Sequence, residues 1–416
     1  MPSIKPPLIA VELENPMLGE VIDLEETKAI VIAAYENKAL ALLFDYYTGE
    51  IKQINRQGNT YKIAVSEDYI GGIFNGFGEP IKGPKPYPED YRDINGLAIN
   101  PYARKVPNEI LYTGISSIDV AHPLLKGQKI AIFSPPGLPM ERLALQIARN
   151  VAKDKTIIFA AIGVPSDIYK MFIDEFINTK AIMNSAIFIS KADSSPIEKI
   201  YTPRVALTLA EYLAFEKNRD VLVLMLDMTN YADALREIST LRKEIPSRRG
   251  YPAYLYTDLA SIYERSGLTS KGSITLIPML TMPGNDITHV VPDLTGYITE
   301  GQYVLSQDLH SKNIYPPIDL LKSLSRLAKN GMSKKHKKYA DILIKSYAKG
   351  LEARDIATIV GEDSLSKEDK AYLKFAELVE KEFIKQDYYE YRSIEKSFEI
   401  IDSILSQSGL PYSPIQ

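Results

Sequence analysis

Cysteine and tryptophan are missing from the 416-residue sequence, and histidine occurs four times, at His122, His289, His310 and His336. Without cysteine there is no disulfide framework, no thiolate metal site and no cysteine nucleophile, a composition that fits a reducing compartment. The scattered histidines share no ligand spacing, so no metal site is expected. Runs of the roughly 20 apolar residues needed to cross a bilayer are also missing. The opening MPSIKPPLIAVELENP lacks a basic start followed by a long apolar stretch, so no signal peptide is expected. A net charge of −4 without a basic stripe argues against a nucleic-acid partner.

The chain does have the means to bury a core. Hydrophobic residues make up 45% and charged residues 25%, as in globular proteins. The length points to two or three domains. Tyrosine is abundant, at 27 residues, and is expected in cores and interfaces rather than as a base-stacking platform.

Three textures follow one another along the chain. In the first, VIDLEETKAIVIAAYENKALALLF and YKIAVS alternate apolar and charged residues, with Gly49, Gly58, Gly71, Gly72 and Gly76 as turn signals. Short strands of this kind predict a small barrel or sandwich. A proline-rich connector, GEPIKGPKPYPEDY (78–91), comes next.

The second texture alternates short apolar runs with helical periodicity. The runs are KIAIF (129–133), TIIFAAI (156–162), AIFI (186–189), VLVLML (221–226) and ITLIPML (274–280). Runs apolar on both faces suit a parallel sheet covered on both sides, hence βαβ units and an α/β domain. One intervening helix carries Ile168, Phe172 and Phe176 on a face. Another carries Val205, Leu209, Tyr212 and Leu213 and is expected to open at Thr202-Pro203, a cap followed by an N1 proline.

The third texture, from about Leu327, is helical. Tyr372, Phe375, Ala376, Val379 and Phe383 share a face, behind a capping-box-like Ser366 and Asp369. Ile394, Phe398, Ile401 and Leu405 mark a last helix. The basic run KKHKK (334–338) reads as a solvated helix start.

The strand KIAIF runs through SPPGLPM into the helix ERLALQIARN, the place where a phosphate-binding loop would carry GxxxxGK followed by Ser or Thr. Laid on that pattern, Ser134 takes the first glycine, Pro139 the second, Met140 the lysine and Glu141 the hydroxyl residue. Pro135, Pro136 and Pro139 have no N–H to donate. Met140 brings no charge, Glu141 brings a carboxylate that repels phosphate, and Gly137 and Leu138 complete the loop. Two readings stay open: a relic phosphate loop that binds nucleotide weakly or not at all, and an ordinary strand-to-helix turn. Asp227, closing VLVLMLD, could likewise organise magnesium or cap the helix YADALREI. Arg248 and Arg249 form either an interface loop or a solvated basic turn.

These segments, in this order, resemble the non-catalytic B subunit of archaeal and vacuolar (A/V-type) rotary ATPases. The resemblance is carried by IFNGFGEPIKG (73–83), PEDYRDINGLAINPYAR (88–104), TGISSID (113–119), GQKIAIFSPPGLP, TPRVALTLAEYLAFEK, LDMTNYADALREIS, RRGYPAYLYTDLASIYERSG, GSITLIPMLTMPGNDITHVVPDLTGYITEGQ, YPPIDLLKSLSRL and SYAKGLEARDIATIVGEDSLS. It runs from about Ile73 to Phe398. It implies a multidomain α/β protein: a β-barrel (1–76), a RecA-like α/β domain of the P-loop NTPase type with a degenerate loop (77–326), and a C-terminal helical domain (327–416). The stretch before Ile73 is short for the family, which puts in question the barrel crown that ties such rings together.

What the resemblance implies about function is specific. B chains alternate with catalytic A subunits in a ring, with central-stalk and peripheral-stalk subunits as further partners. The ring lies on the cytoplasmic side of the membrane and touches it only through the ion-translocating sector. ATP or ADP with magnesium lies at the A–B interfaces, and no tightly bound cofactor is expected in B itself. The family's catalytic glutamate falls in a Gly-Glu-Arg sequence that here reads Gly163-Val164-Pro165, so no autonomous hydrolysis is expected. Arg326 in Ser323-Leu324-Ser325-Arg326 aligns with the arginine that reaches into the neighbour's site, where a planar guanidinium can stabilise charge on the transferring phosphoryl group. The competing expectation is a free-standing, nucleotide-independent scaffold derived from the same fold.

Overall fold

The computed structural model describes residues 8–45 and 53–410. Gly49, one of the turn signals above, lies outside them. Five strands open the chain: β1 (Leu8–Glu12), β2 (Glu20–Leu24), β3 (Thr27–Ala34), β4 (Lys38–Leu43) and β5 (Asn55–Thr60). They form one antiparallel sheet in the order β1-β4-β3-β2-β5. Successive side chains of a strand point to opposite faces, and here both faces are used. Ala29 and Val31 pack with Ile22, Ala41 and Leu43 in a cluster of their own. Ile30 and Ile32, one residue out of phase, join Val21, Leu42 and Phe44 in the core of the next domain. The near-continuous apolar run of β3 therefore reflects a sheet seated on its neighbour.

Next come β6 (Lys62–Val65), β7 (Ile73–Asn75), β8 (Pro80–Lys82) and β9 (Asp90–Asp93), with β6 and β9 paired to each other. The remaining strands are β10 (Ala131–Ser134), β11 (Thr156–Val164), β12 (Ser185–Lys191), β13 (Asp220–Leu226), β14 (Gly267–Leu268), β15 (Ser273–Thr281), β16 (Gly301–Val304) and β17 (Leu324–Ser325). The large sheet runs β17-β16-β10-β15-β13-β11-β12-β7-β8, with β14 beside β15. Its body, from β16 to β7, is parallel, and β8, β14 and β17 pair antiparallel.

Helices α1 (Met140–Val151) and α2 (Ser166–Asn178) cover one face of this sheet. Helices α3 (Pro196–Phe215), α4 (Met228–Leu241), α5 (Leu255–Tyr263) and α6 (Val290–Ile298) cover the other. Strand β11 shows why its sequence is apolar throughout: Ile157, Phe159 and Ala161 enter the first layer, and Ile158, Ala160 and Ile162 the second. Phe159 meets Phe172 and Phe176 of α2 edge-on, with ring centroids 5.0 and 5.2 Å apart.

One helix start is corrected. The helix expected to open at Thr202-Pro203 begins at Pro196, and Pro203 lies inside it. Both sites pair a hydroxyl residue with proline, so composition does not separate them. The hydrogen bonds do. Ser195 Oγ accepts the N–H of Glu198 at 3.3 Å, as an N-cap should. Thr202 Oγ1 instead donates back to the carbonyl of Glu198 at 2.7 Å, the habit of a hydroxyl inside a helix.

After α7 (Gln307–Ser311) and α8 (Ala328–Gly331) the chain is helical, with α9 (Lys334–Val360), α10 (Lys367–Leu378) and α11 (Ile394–Ser408). Ser333, Ser366 and Ser393 cap these three by accepting the N–H of His336, Asp369 and Lys396. Phe375, Val379, Phe383, Ile401 and Leu405 form their shared core. Within the basic run the four lysines are exposed, while His336 is buried with Nε2 3.0 Å from the carbonyl of Val120. Among the described residues no helix is long and apolar enough to cross a membrane.

Candidate functional site

Parallel strands put their C-terminal ends on one side of the sheet, where α/β proteins place ligands. Here that rim holds the turn after β10, Asp227 after β13, Thr281 at the end of β15 and the Gly163 turn of β11. Ser134 is in register with Thr281, and Met282 N donates to the Ser134 carbonyl at 2.7 Å.

The turn from β10 to α1 keeps the strand–loop–helix form but offers few donors. Pro135, Pro136 and Pro139 have none. Leu138 N and Met140 N are spent inside the turn, on the carbonyls of Pro135 (3.4 Å) and Leu138 (2.8 Å). Ser134 Oγ also turns inward, to the Pro135 carbonyl at 2.9 Å. Gly137, at φ +81°, has open space around it. Met140 is buried among Leu138, Leu143 and Phe159 rather than held out as a lysine would be. The half-buried Glu141 carboxylate lies in the first turn of α1, at the start of the helix where an anion would otherwise bind. Burial raises its pKa, and the nearby Asp227 and Asp167 carboxylates push the same way. The cavity beside the turn is about 320 Å³, and Leu138, Met140, Ile168 and Met171 contribute to its wall. Arg142 and His310 also line it, and the Arg142 guanidinium lies over the rings of Tyr315 and Tyr388, at 4.9 and 4.7 Å.

Asp227 stands at the N-cap of α4. Its Oδ1 accepts Thr229 N at 2.8 Å and Thr281 N at 3.2 Å, and its Oδ2 accepts Thr281 Oγ1 at 2.6 Å. Both oxygens therefore have protein partners. Burial raises its pKa against these bonds. Gly163 sits at φ +62°, Val164 is buried in the core, and Pro165 precedes α2. Among the described residues no group of three or more acidic or histidine side chains is arranged to hold a metal. The turn therefore lacks the lysine, the hydroxyl residue and three of the backbone donors that a triphosphate-binding loop supplies.

Arg326 lies at the opposite edge of the sheet, just after β17, and is exposed. Its backbone N donates to the Glu300 carbonyl at 2.9 Å. Its Nη1 donates to the carbonyls of Thr299 (2.6 Å) and Gly296 (3.4 Å), at the end of α6. A cation there meets the negative end of the helix dipole. Nε and Nη2 make no bond among the described residues. Arg248 and Arg249 are exposed and paired with Asp293 (3.5 Å) and Asp286 (3.2 Å), which fastens their turn to the segment leading into α6.

Sequence reading passed over Lys129 and Glu300, which face each other behind Arg326 with Lys129 Nζ 2.6 Å from Glu300 Oε1. The available signal was a lysine just ahead of a buried strand.

Three family models match the chain. One described as the ATP synthase alpha/beta family, nucleotide-binding domain, spans residues 114–325. The C-terminal domain of V and A type ATP synthase spans 325–414, and the NeqB N-terminal domain spans 2–60. A solved structure, described as that of a unique ATP synthase subunit NeqB from Nanoarcheaum equitans, is 96% identical with a TM-score of 0.85. The match covers 98% of this chain and 100% of that one. With its β domain, its mostly parallel nucleotide-binding-type domain and its helical tail in that order, the chain belongs to the ATP synthase alpha/beta family, with a V/A-type C-terminal domain, as a homologue of the B subunit of A/V-type ATP synthases.

Proposed function

We propose that this chain is the non-catalytic, regulatory subunit of the ring: it alternates with catalytic A subunits, does not turn over ATP alone, and lends Arg326 to the neighbouring subunit's ATP site. The observation that carries this reading is the turn at 134–141, where three prolines offer no donor and a glutamate carboxylate stands in the first helical turn that phosphate needs. The missing lysine and the Gly163-Val164-Pro165 sequence support it. Bound ATP or ADP, with magnesium, then belongs to the interface with the partner. Arg326 is suited to its part because it is exposed, is held on backbone carbonyls through Nη1, and has donors left for equatorial phosphoryl oxygens. Central-stalk and peripheral-stalk subunits complete the assembly, on the cytoplasmic side of the membrane.

The test compares ATP hydrolysis by this chain alone, by a lysine-loop A-type partner alone, by the mixture, and by the mixture carrying Arg326→Ala. The expected results are no turnover by the chain alone and activity in the mixture. Arg326→Ala should lower turnover by about 10³–10⁵ with assembly intact. Hydrolysis by the isolated chain overturns the non-catalytic reading. A mixture indifferent to Arg326→Ala reduces the chain to a scaffold.

A further inference from the structure

Behind Arg326 lies a charged pair, a buried lysine against a partly exposed glutamate, that neither the loop nor the packing of the sheet requires. Lys129 lies two residues ahead of β10 with 2% of its side chain exposed, and its ammonium touches Glu300 at 2.6 Å and Glu264 at 3.5 Å. Glu300 sits in the turn between α6 and β16. Its Oε2 accepts Lys129 N at 2.7 Å, and its own N donates to the Lys129 carbonyl at 2.7 Å. Glu264 is in turn held by Arg104 at 2.6 Å.

Three bonds thus lock one residue of the turn to one residue just ahead of the strand. That turn carries both supports of Arg326: the Glu300 carbonyl for its backbone and the Thr299 carbonyl for its guanidinium. The preceding residue is fixed the same way. Gln128 Nε2 donates to Ser325 Oγ at 3.2 Å, and Ser325 Oγ donates to the Pro123 carbonyl at 2.9 Å.

We infer that Lys129 and Glu300 are a positioning pair that sets the height and direction of Arg326 toward the partner's site, an inference that rests on Arg326 being the donated arginine. Burying an ammonium, as Lys129 does, is a poor way to stabilise a fold, since a well-packed apolar residue does as well or better. It is a good way to fix geometry, because both partners are directional and each accepts or donates at several atoms. A donated arginine needs this: a shift of about 1 Å in a group that acts at the transition state can cost about 10²-fold in rate.

The experiment uses the assembled complex with the A-type partner and follows single-turnover hydrolysis of radiolabelled ATP, which reads slow rates. Lys129→Met and Glu300→Gln are each made with Arg326 present and with Arg326→Ala, and assembly is checked by gel filtration. With Arg326 present, each should lower kcat by about 10- to 100-fold. KM for ATP should hold, because the arginine acts in the transition state. In the Arg326→Ala background neither should lower the residual rate further. Glu300→Gln keeps the side-chain volume, so it carries the test if Lys129→Met does not fold. Equal losses in both backgrounds overturn the inference, as does an undiminished rate or failure of both variants to assemble. If Arg326→Ala itself is without effect, the donated-arginine reading falls and this one falls with it.

Discussion

Restoring the two side chains of a phosphate loop should not restore nucleotide binding to this chain. The perturbation is Met140→Lys together with Glu141→Thr, which returns the lysine and the hydroxyl and removes the carboxylate. A working loop that holds ATP near 1 μM supplies about −8 kcal/mol. Each backbone N–H given to a charged phosphate contributes about 1.5–3 kcal/mol. Pro135, Pro136 and Pro139 stand where three such donors would be, so about 5–9 kcal/mol stays missing after the double substitution. That leaves about −3 kcal/mol at best, a Kd weaker than about 1 mM. The turn's own geometry adds to the deficit, because Leu138 N and Met140 N already serve loop carbonyls and residue 140 faces the core. Titration calorimetry of the isolated chain with Mg-ATP should therefore show no saturation for the wild type or the double variant. Adding Ser134→Gly, Pro135→Ala, Pro136→Ala and Pro139→Gly should tighten binding by at least about 10³-fold, the lower end of that deficit. A Kd of tens of micromolar in the two-residue variant refutes the donor count, since it means the side chains alone decide.

Two further outcomes concern stability. Arg265 is fully buried and spends its donors on Glu211 (Nε 2.7 Å and Nη2 2.7 Å), Thr208 Oγ1 (2.9 Å) and the Ile94 carbonyl (2.7 Å). Arg265→Ala should cost about 3–5 kcal/mol by urea titration, because it strands a carboxylate and a carbonyl. Adding Glu211→Leu should recover much of that, and a single-variant cost below about 1 kcal/mol refutes the reading. Asp119 is wholly buried, and burial pushes its pKa up from 3.8 to about 7 against hydrogen bonds from Thr113 and Gly114. The folded chain then holds that proton more tightly than the unfolded one. Its contribution is complete below about pH 4 and is lost as pH rises through about 7. Asp119→Asn should remove up to about 1.4 kcal/mol per pH unit from the slope of stability across that window. An unchanged slope of the urea midpoint against pH would mean the carboxylate stays ionised.

Local pattern made much of the fold legible and little of the way its parts meet. The five apolar runs became β10, β11, β12, β13 and β15 because a strand covered on both faces has no polar phase to keep. The turn at 134–141 was readable because a proline's missing N–H is a property of the residue, whatever surrounds it. The start of α3 was not, since Ser195-Pro196 and Thr202-Pro203 carry the same signal and only the tertiary setting chooses between them. Sheet order was out of reach for a similar reason. Nothing in Ile73–Asn75 says that it pairs with β12 rather than with the strands just before it. The contact of Lys129 with Glu300 spans 171 residues of sequence, and nothing in the type or spacing of either residue points to the other. Arg326 stood out through family resemblance, for an exposed arginine after a short strand is unremarkable in itself.

The distribution of polar groups over the two sheet edges makes the case for a division of labour. At the rim where a catalytic subunit would work, each position has gone over to packing. Met140 and Val164 are core residues, Pro135, Pro136 and Pro139 have no donor, and Leu138 N and Met140 N are spent inside the turn. Asp227 joins α4 to β15, helped by Thr229 Oγ1, which donates to the Thr281 carbonyl at 2.9 Å. A metal arriving there would have to displace bonds that hold the helix. The other edge shows the reverse. Lys129, Gln128 and Ser325 keep ionic and polar groups buried where apolar residues would pack at least as well, and the partly exposed Glu300 carboxylate meets the lysine. Buried polar networks of that kind earn their keep through geometry, and the geometry they define ends at the guanidinium of Arg326. The proposed donor role calls for an exposed arginine held on such a turn, and the proposal that this chain is a free-standing scaffold calls for none.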